Sequence, residues 1–213
     1  MRAIPLFMIL LSGYFSTAQS VHYNLSQWLS QHKLITLPAY QTVPFNGEKK
    51  EAITTQGVVW LKGVHFETGV IDVDLLGRDV EGSSFLGMAF SGTDSNDLEC
   101  LYFRPFNFKA SDALKKQHMV QYMSLPDHDW DLLRKTRPLV FEHGINPAPD
   151  PNDWFHASIH VSNDSVLVFM NHSPVPSLAV KRFSNHRGDQ IGLWCVGLPG
   201  NFDQLEIHDT KAK

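Results

Sequence analysis

The sequence predicts an all-β protein folded as a sandwich of two antiparallel sheets. Short runs rich in β-branched and aromatic residues recur along the chain, separated by Gly, Pro, Asn and Asp. Sustained helical periodicity is nearly absent, and the best helical candidate is the stretch at 129–135. About ten strands at this spacing are typical of a two-sheet sandwich. The predicted strands lie at 57–62, 65–77, 83–92, 98–106, 118–124, 154–162, 165–171, 177–183, 189–197 and 202–209.

Residues 1–18 predict a signal peptide. Arg2 gives a positive start, residues 4–11 form an apolar core too short to span a bilayer, and small residues precede Ala18. We expect cleavage after Ala18, leaving Gln19 at the N-terminus. An uncleaved anchor is disfavoured, since no stop-transfer pattern follows. The protein is therefore expected to be secreted or periplasmic, with no membrane span after cleavage.

Composition excludes several classes of protein and of partner. The chain has 213 residues, of which 43% are hydrophobic and 19% charged, so it is neither disordered nor fibrous. Removing the leader removes Arg2 and leaves 17 basic and 22 acidic residues, a net charge of −5. No basic stripe exists to neutralise phosphates, which argues against nucleic acid as a partner. The 11 His residues form no metal-binding motif, so neither a metal site nor a cofactor is predicted.

The mature chain reads as a lead-in followed by one domain. Residues 19–50 predict a short helical turn and then an extended segment, packed on a domain at 51–213. Within that domain, residues 126–153 carry few strand signals, although Trp130 and Phe141 indicate an ordered, packed loop. A loop of this length in a compact domain is usually functional or disordered.

Alternation along the strands predicts which side chains share a face, because successive residues point to opposite sides. Trp154, His156, Ser158 and His160 form the polar set of their strand. Asp72 and Asp74 point away from the core in theirs, and Gln121 and Tyr122 face opposite ways. In the strand at 83–92 the outward residues, Gly87 and Ala89, are small, so that another group can approach closely.

The two cysteines, Cys100 and Cys195, leave two interpretations open. Export permits a disulfide, but each cysteine lies in an apolar strand-like run, which favours two buried free thiols.

Several runs resemble one superfamily. FETGVIDVDLLG, FLGMAFSG, ECLYFRPF, WFHASIHVSNDSVLVFMN and DQIGLWCVGLPGNFDQLEI are similar to concanavalin A-like lectin/glucanase domains of secreted bacterial proteins. The nearest groups are laminin-G-like, family 16 glycoside hydrolase-like and 3-keto-disaccharide hydrolase-like domains, and the resemblance covers roughly residues 50–210. It implies a jelly-roll sandwich whose concave sheet carries a sugar site.

The resemblance is weaker for chemistry than for fold. Family 16 glucanases carry two Glu residues flanking an Asp on one strand, as nucleophile and acid/base. Here the matching stretch holds only Asp72 and Asp74, with Val70 and Leu76 at the flanking places. The 3-keto-disaccharide hydrolase-like branch instead implies an acidic residue in a strand after a Gly-rich strand, and Glu99 matches it.

Four candidate site residues lie on the two strands at 98–106 and 118–124. Glu99 is the candidate acid/base, since burial would raise its pKa; the alternative is a structural carboxylate. Arg104 would orient a sugar or form an ion pair with Glu99 or Asp72. Tyr102, on the face of Arg104, would stack on sugar or on the core. Gln121 is the better sugar contact of its strand and Tyr122 the better core residue.

Three further candidates for substrate binding lie elsewhere in the sequence. Trp154 is either a stacking platform or an edge anchor of the sandwich. His156 is a candidate base near neutral pH, the alternative being a solvent-facing strand histidine. Asp72 could pair with Asp74, although an exposed polar strand face is the commoner explanation.

The sequence therefore predicts glycan interaction on the concave sheet, and leaves open whether the protein is an enzyme. The first alternative is an active 3-keto-disaccharide hydrolase or family 16-like glycoside hydrolase with Glu99 as acid/base. The second is a structural export domain without a small ligand. The absence of a second Glu favours binding over cleavage, since hydrolysis requires two facing carboxyl groups. The sugar and the oligomeric state are not specified.

Overall fold

The computed structural model describes residues 20–37, 39–183 and 188–209. The predicted signal peptide, residues 1–18, and its cleavage site before Gln19 lie outside these residues. The strands are β1 Ser20–Tyr23, β2 Leu34–Thr36, β3 Val43–Pro44, β4 Ile53–His65, β5 Gly69–Leu76, β6 Ser84–Asp94, β7 Asp97–Phe103, β8 Val120–Leu125, β9 Glu142–His143, β10 Phe155–Val161, β11 Ser165–Met170, β12 Leu178–Lys181 and β13 Gln190–Asp209. The helices are α1 Leu25–Ser30, α2 Ala113–Lys116 and α3 Trp130–Thr136, with a 3₁₀ turn at Pro105–Asn107.

The strands form one hydrogen-bonded network that folds over into two layers. Its order is β12-β11-β10-β5-β13-β6-β7-β8-β9, and every pairing is antiparallel. In a flat sheet, the four spacings from β7 to β10 would separate these strands by about 19 Å. The rings of Phe103 and Phe155 nevertheless lie 5.2 Å apart, so the two strands face each other across a core. The predicted all-β sandwich of two antiparallel sheets is confirmed.

We name the layers by their strands. The front layer consists of β9, β8, β7, β6, residues 190–197 of β13, and β4. The back layer consists of β12, β11, β10, β5, residues 200–209 of β13, and β1. The lead-in joins both, because β1 pairs with β13 while β2 and β3 pair with β4.

Strand β13 joins the two layers and corrects one prediction. The runs at 189–197 and 202–209 are a single strand of 20 residues, not two. The Gly-Leu-Pro-Gly stretch at 197–200 indicated a turn, but its effect is a shift of register between Cys195 and Gly200. Gly197 has φ +84°, and a Cβ there would lie 2.1 Å from the Ser83 carbonyl oxygen. The irregularity bends the strand without ending it, as β-bulges do.

Both predicted helical turns are present, and each begins at a side-chain cap. The Asn24 side chain accepts a hydrogen bond from the Gln27 amide at the start of α1. At the start of α3, the Asp129 carboxylate accepts one from the Leu132 amide at 2.8 Å. These caps satisfy amides that a helix leaves without partners. Helix α3 lies in segment 126–153, as expected of an ordered loop.

Alternation separates the inward and outward faces of the front layer. Glu99, Leu101 and Phe103 of β7 point inward, since Phe103 contacts the back layer. Cys100 and Tyr102 therefore point outward, and Arg104 follows them. The same rule places Tyr122 inside and Gln121 outside on β8, as predicted.

Candidate functional site

A row of side chains crosses the outer face of the front layer. The strand register places Trp194 opposite Gly87, Gly87 opposite Tyr102, Tyr102 opposite Gln121, and Gln121 opposite Glu142. The Tyr102 and Trp194 rings lie 5.0 Å apart, on either side of the Gly87 strand. The space that the sequence predicted above Gly87 is thus bordered by two aromatic rings.

A pocket of about 460 Å³ opens above this row, and we call it the front pocket. This volume lies within the range of ligand sites, roughly 300–1,000 Å³. Aromatic rings form much of its wall, with charged groups between them. Its lining residues are Glu81, Gly82, Phe85, Arg104, Phe106, Asn107, Lys115, His118, Met123, Trp130, Arg134, Trp194 and Val196.

Arg104 is fixed in the floor of the front pocket. Its Nη2 donates to the Tyr102 hydroxyl at 2.6 Å and to Gln121 Oε1, and its Nη1 donates to the His118 carbonyl at 3.3 Å. The side chain is only 5% exposed. Tyr102 in turn donates its hydroxyl hydrogen to Gln121 Oε1 at 2.9 Å. Three predicted site residues are therefore one hydrogen-bonded unit.

Glu142 is the carboxylate that balances this unit. Its Oε1 accepts a hydrogen bond from Arg134 Nε at 3.0 Å, and its Oε2 accepts one from Arg134 Nη2 at 2.6 Å. The two residues thus form a bidentate ion pair. Oε2 also lies 3.6 Å from Arg104 Nη1 and 2.7 Å from His118 Nδ1. The expected partners of Arg104, Glu99 and Asp72, are wrong, since Glu99 points into the core and Asp72 belongs to the back layer.

Burial shifts the ionisation of the groups around this carboxylate. Burial lowers the pKa of Arg104 and the pKa of His118. In both cases the negative charge of Glu142 acts in the opposite direction. Burial also raises the pKa of the Tyr102 hydroxyl, so that it remains a hydrogen-bond donor at neutral pH. The hydrogen bonds that Arg134 donates to Glu142 raise the pKa of Arg134. At neutral pH the site presents two guanidinium cations, a neutral histidine and a phenol.

Glu99 lies away from the front pocket. Its side chain is fully buried on the inner face of β7. Arg182 donates from Nε to both carboxylate oxygens at 3.0 Å, and the Tyr122 hydroxyl donates to Oε2. The alternation of β7 explains this separation, since residues 99 and 102 fall on opposite faces. The structure thus brings Tyr102, Arg104 and Gln121 together but leaves the candidate acid/base apart from them.

The remaining candidates lie on the outer face of the back layer. His156 Nδ1 is 3.0 Å from Asp74 Oδ1, and its Nε2 is 3.5 Å from Asp72 Oδ1. The carboxylates of Asp72 and Asp74 raise the pKa of His156 to about 9. The Trp154 ring packs edge-on against Phe45 at 5.5 Å. Trp154, His156 and Asp72 therefore belong to a second polar surface, separate from the front pocket.

Lys49 connects this second surface to the lead-in. Its ammonium donates to Asp74 at 2.8 Å, lies 3.2 Å from Asp203, and sits 4.7 Å from the centroid of Trp154. Trp154 therefore serves as a contact for the lead-in. Each carboxylate here has a cation close by, which is the arrangement of a structural ion network.

Sequence reasoning missed much of the front pocket. Two lining residues, Trp130 and Arg134, and the nearby Glu142 carboxylate come from segment 126–153, which was expected to be an ordered loop but was not resolved into site residues. Trp194 was concealed in an apolar strand run. The signal available was the charge and aromatic content of the long loop; what was missing was the pairing of β9 with β8.

A second cavity, of about 300 Å³, shares no lining residue with the front pocket. Asp127, His128, Arg137, Lys181 and Phe183 are among its lining residues. Among residues 20–37, 39–183 and 188–209, no group of His, Cys, Asp or Glu is arranged to hold a metal ion. No helix within those ranges is long and apolar enough to cross a membrane.

The fold is that of known carbohydrate-recognition domains. The carbohydrate recognition domain of Emp46p in its metal-free form superposes with a TM-score of 0.54 and 15% identity, over 90% of this chain and 96% of that one. The carbohydrate-binding module CBM66 of Bacillus subtilis gives 0.53 and 12%, over 79% and 94%. The VIP36 exoplasmic/lumenal domain, bound to Ca²⁺ and Man3GlcNAc, gives 0.52 and 8%, over 86% and 90%. These likenesses show that the chain shares the β-sandwich fold of these domains.

No family model matches the chain. No curated protein matches it either. At these levels of identity, the structural likeness establishes the fold, and the function must be argued from the site.

Proposed function

We propose that the protein is a carbohydrate-binding domain that takes a saccharide in the front pocket. The observation that carries this proposal is the combination of aromatic walls with a fixed polar floor. Trp130, which is 46% exposed, presents a ring on which the apolar face of a sugar can stack, and the largely buried Trp194 also lines the pocket. Arg104, held in place by Tyr102 and Gln121, supplies donors whose positions are set before a ligand arrives.

The carbohydrate-recognition domains that share this fold support the same proposal, because they show that such a sandwich can serve as a sugar-binding scaffold. They do not specify which sugar this chain would take. That information must come from the chemistry of the pocket itself.

Binding is better supported than glycoside cleavage. Hydrolysis by two carboxyl groups requires one to donate a proton while the other acts as base or nucleophile. Glu81, on the rim, is paired with Lys115 at 2.5 Å. Glu142 is held by Arg134 and is only 2% exposed. Glu99 as acid/base remains a prediction, and glycan incubations with the Glu99→Gln variant would test it.

Isothermal titration calorimetry of the protein with a panel of oligosaccharides tests the proposal. Trp130 is 46% exposed and lines the pocket, so Trp130→Ala should weaken binding by roughly tenfold, as expected for the loss of one stacking ring. Trp154→Ala is the matched control, since it removes the same side chain from the back layer.

The two variants separate three outcomes. Loss of binding with Trp130→Ala alone supports the front pocket. Loss with Trp154→Ala alone would move the sugar site to the back layer and overturn the proposal. Absence of binding by the native protein to every oligosaccharide would favour a structural domain without a small ligand.

We also propose that the protein is exported. The support is the N-terminal sequence of residues 1–18, with its positive charge, apolar core and small residues. An exported domain would meet glycans outside the cytoplasm. N-terminal sequencing of the protein from the cell envelope or medium should give Gln19 first, and an intact Met1 would contradict cleavage.

A further inference from the structure

The floor of the front pocket has one more positive charge than its carboxylates balance. Arg104 and Arg134 share the single carboxylate of Glu142, which Arg134 binds with two hydrogen bonds while Arg104 lies 3.6 Å away. Both side chains line the pocket. The three groups together carry a net charge of about +1 at neutral pH.

Among the described residues, no other acidic side chain forms an ion pair with either arginine, although the charge of Asp131 also acts on Arg134. Glu81 is paired with Lys115 on the rim, and Asp131 is paired with Lys135 at 2.6 Å. Asp112 caps the start of α2. All 22 acidic residues of the chain lie within the described ranges, so the residues outside them hold no carboxylate side chain that could reach the floor.

Burial makes this excess charge unfavourable unless an anion joins it. The Arg104 side chain is 5% exposed, so water solvates its guanidinium poorly. Consistent with this, burial lowers its pKa, and the nearby Arg134 charge lowers it further. A buried cation without a full partner destabilises the folded protein, and a counter-ion in contact offsets that effect. The pocket is therefore better suited to an anionic ligand than to a neutral one.

The geometry leaves donors for such a ligand. Nε and Nη2 of Arg134 donate to Glu142, which leaves Nη1 as a further donor on a side chain that is 34% exposed. A planar guanidinium matches the oxygens of a carboxylate or sulfate.

From these observations, we infer that the front pocket selects saccharides that carry a carboxylate or sulfate group. The aromatic walls hold the sugar ring and the floor cations hold its anionic substituent. This inference rests on the proposed function, because it specifies which class of sugar the same pocket takes.

The test compares an oligogalacturonide with its carboxyl-reduced, neutral counterpart by calorimetry, together with a sulfated oligosaccharide. We expect the acidic or the sulfated ligand to bind roughly tenfold or more tightly than the neutral one, the size of one charge-assisted hydrogen bond. Arg134→Gln should abolish this preference. Arg137→Gln is the matched control. This substitution changes the net charge by the same amount, but Arg137 lines the second cavity.

A second variant, expected to change the preference in the opposite direction, keeps the test decisive if Arg134→Gln does not fold. Glu142→Gln removes the only carboxylate of the floor and should increase the preference for acidic ligands. Thermal unfolding of each variant identifies folded samples. A decrease in that preference in folded Glu142→Gln protein would overturn the inference.

The inference and the proposed function fail separately. Equal affinity for acidic and neutral saccharides would overturn the inference and leave sugar binding in place. No affinity for any saccharide would overturn both. If sodium sulfate or sodium acetate displaces the acidic ligand at equal concentration, the floor is a general anion site, and selection of saccharides is wrong.

Discussion

Alkaline pH should weaken the back layer, because one histidine there is held protonated by two carboxylates. His156 lies between Asp72 and Asp74 on adjacent strands, at 3.5 and 3.0 Å. These contacts raise its pKa from 6.5 to about 9. A pKa that is higher in the folded chain than in the unfolded chain stabilises the fold fully below pH 6.5. That stabilisation is lost as the pH rises through about 9.

The size of the effect follows from the two pKa values. Each unit corresponds to about 1.4 kcal/mol, so a rise from 6.5 to about 9 corresponds to about 3 kcal/mol of unfolding free energy. The lowered pKa values of Asp72 and Asp74 arise in part from the same contacts with His156, and that part is not counted a second time. Since the His156 side chain is 18% exposed, screening by solvent reduces the expected value to about 2 kcal/mol.

Urea unfolding of the native chain and of His156→Gln, from about pH 6 to about pH 10, measures this contribution. The difference between the two unfolding free energies should fall as the pH rises. Taking this difference cancels the titration of the lysines and tyrosines that both proteins share. His160→Gln serves as the control, because His160 lies on the same face of β10 but contacts Ser158 and Phe169 instead of a carboxylate.

A difference between native and His156→Gln protein that stays constant over that pH range would refute the reasoning. So would a ring titration of His156, followed by NMR, with its midpoint near the unperturbed value of about 6.5. Either result would mean that Asp72 and Asp74 do not hold the proton on the imidazole.

Three further predictions concern the core. Glu99→Gln leaves the Arg182 guanidinium without its carboxylate and should lower the unfolding free energy by about 3–5 kcal/mol, while saccharide affinity of the folded protein stays unchanged; urea unfolding and calorimetry measure the two. Gly87→Ala would place a Cβ 2.0 Å from the Leu101 carbonyl oxygen, so it should lower the melting temperature and weaken sugar binding together, and an unchanged melting temperature would contradict this. Burial raises the pKa of Cys100 well above its usual range and that of Cys195 to about 12, so a thiol reagent should react with neither in the native protein and with two thiols after denaturation; no thiol after denaturation would indicate a disulfide.

Local patterns in the sequence predicted the strands and the directions of their side chains. Alternation placed Gln121 outside and Tyr122 inside, and it grouped His156 with Trp154, because the strand repeat depends on adjacent residues alone. The helix over 130–136 was predicted from the helical candidate stretch at 129–135, and Asp129 caps its N-terminus. These features need no knowledge of which strands are neighbours.

The candidate site depended on information that the sequence holds only over long distances. The partner of Arg104 is Glu142, which reaches it because the two-residue strand β9 pairs with β8. No local pattern predicts so short a pairing. Asp72 was considered as an ion-pair partner of Arg104 because the strand order was unknown, and the structure assigns the two residues to different layers. The separation of Glu99 from Tyr102, in contrast, follows from alternation and was available from sequence.

Net charge illustrates the same limit for electrostatics. The chain carries a formal charge of −4, which argues against polyanions as general partners. A sum over all residues, however, does not describe a pocket in which two arginines share one carboxylate. Because Coulomb interactions are strongest where water is excluded, a local excess of one charge beside the buried Arg104 outweighs several exposed acids elsewhere. An acidic protein can therefore bind an acidic sugar, provided that the sugar enters the front pocket.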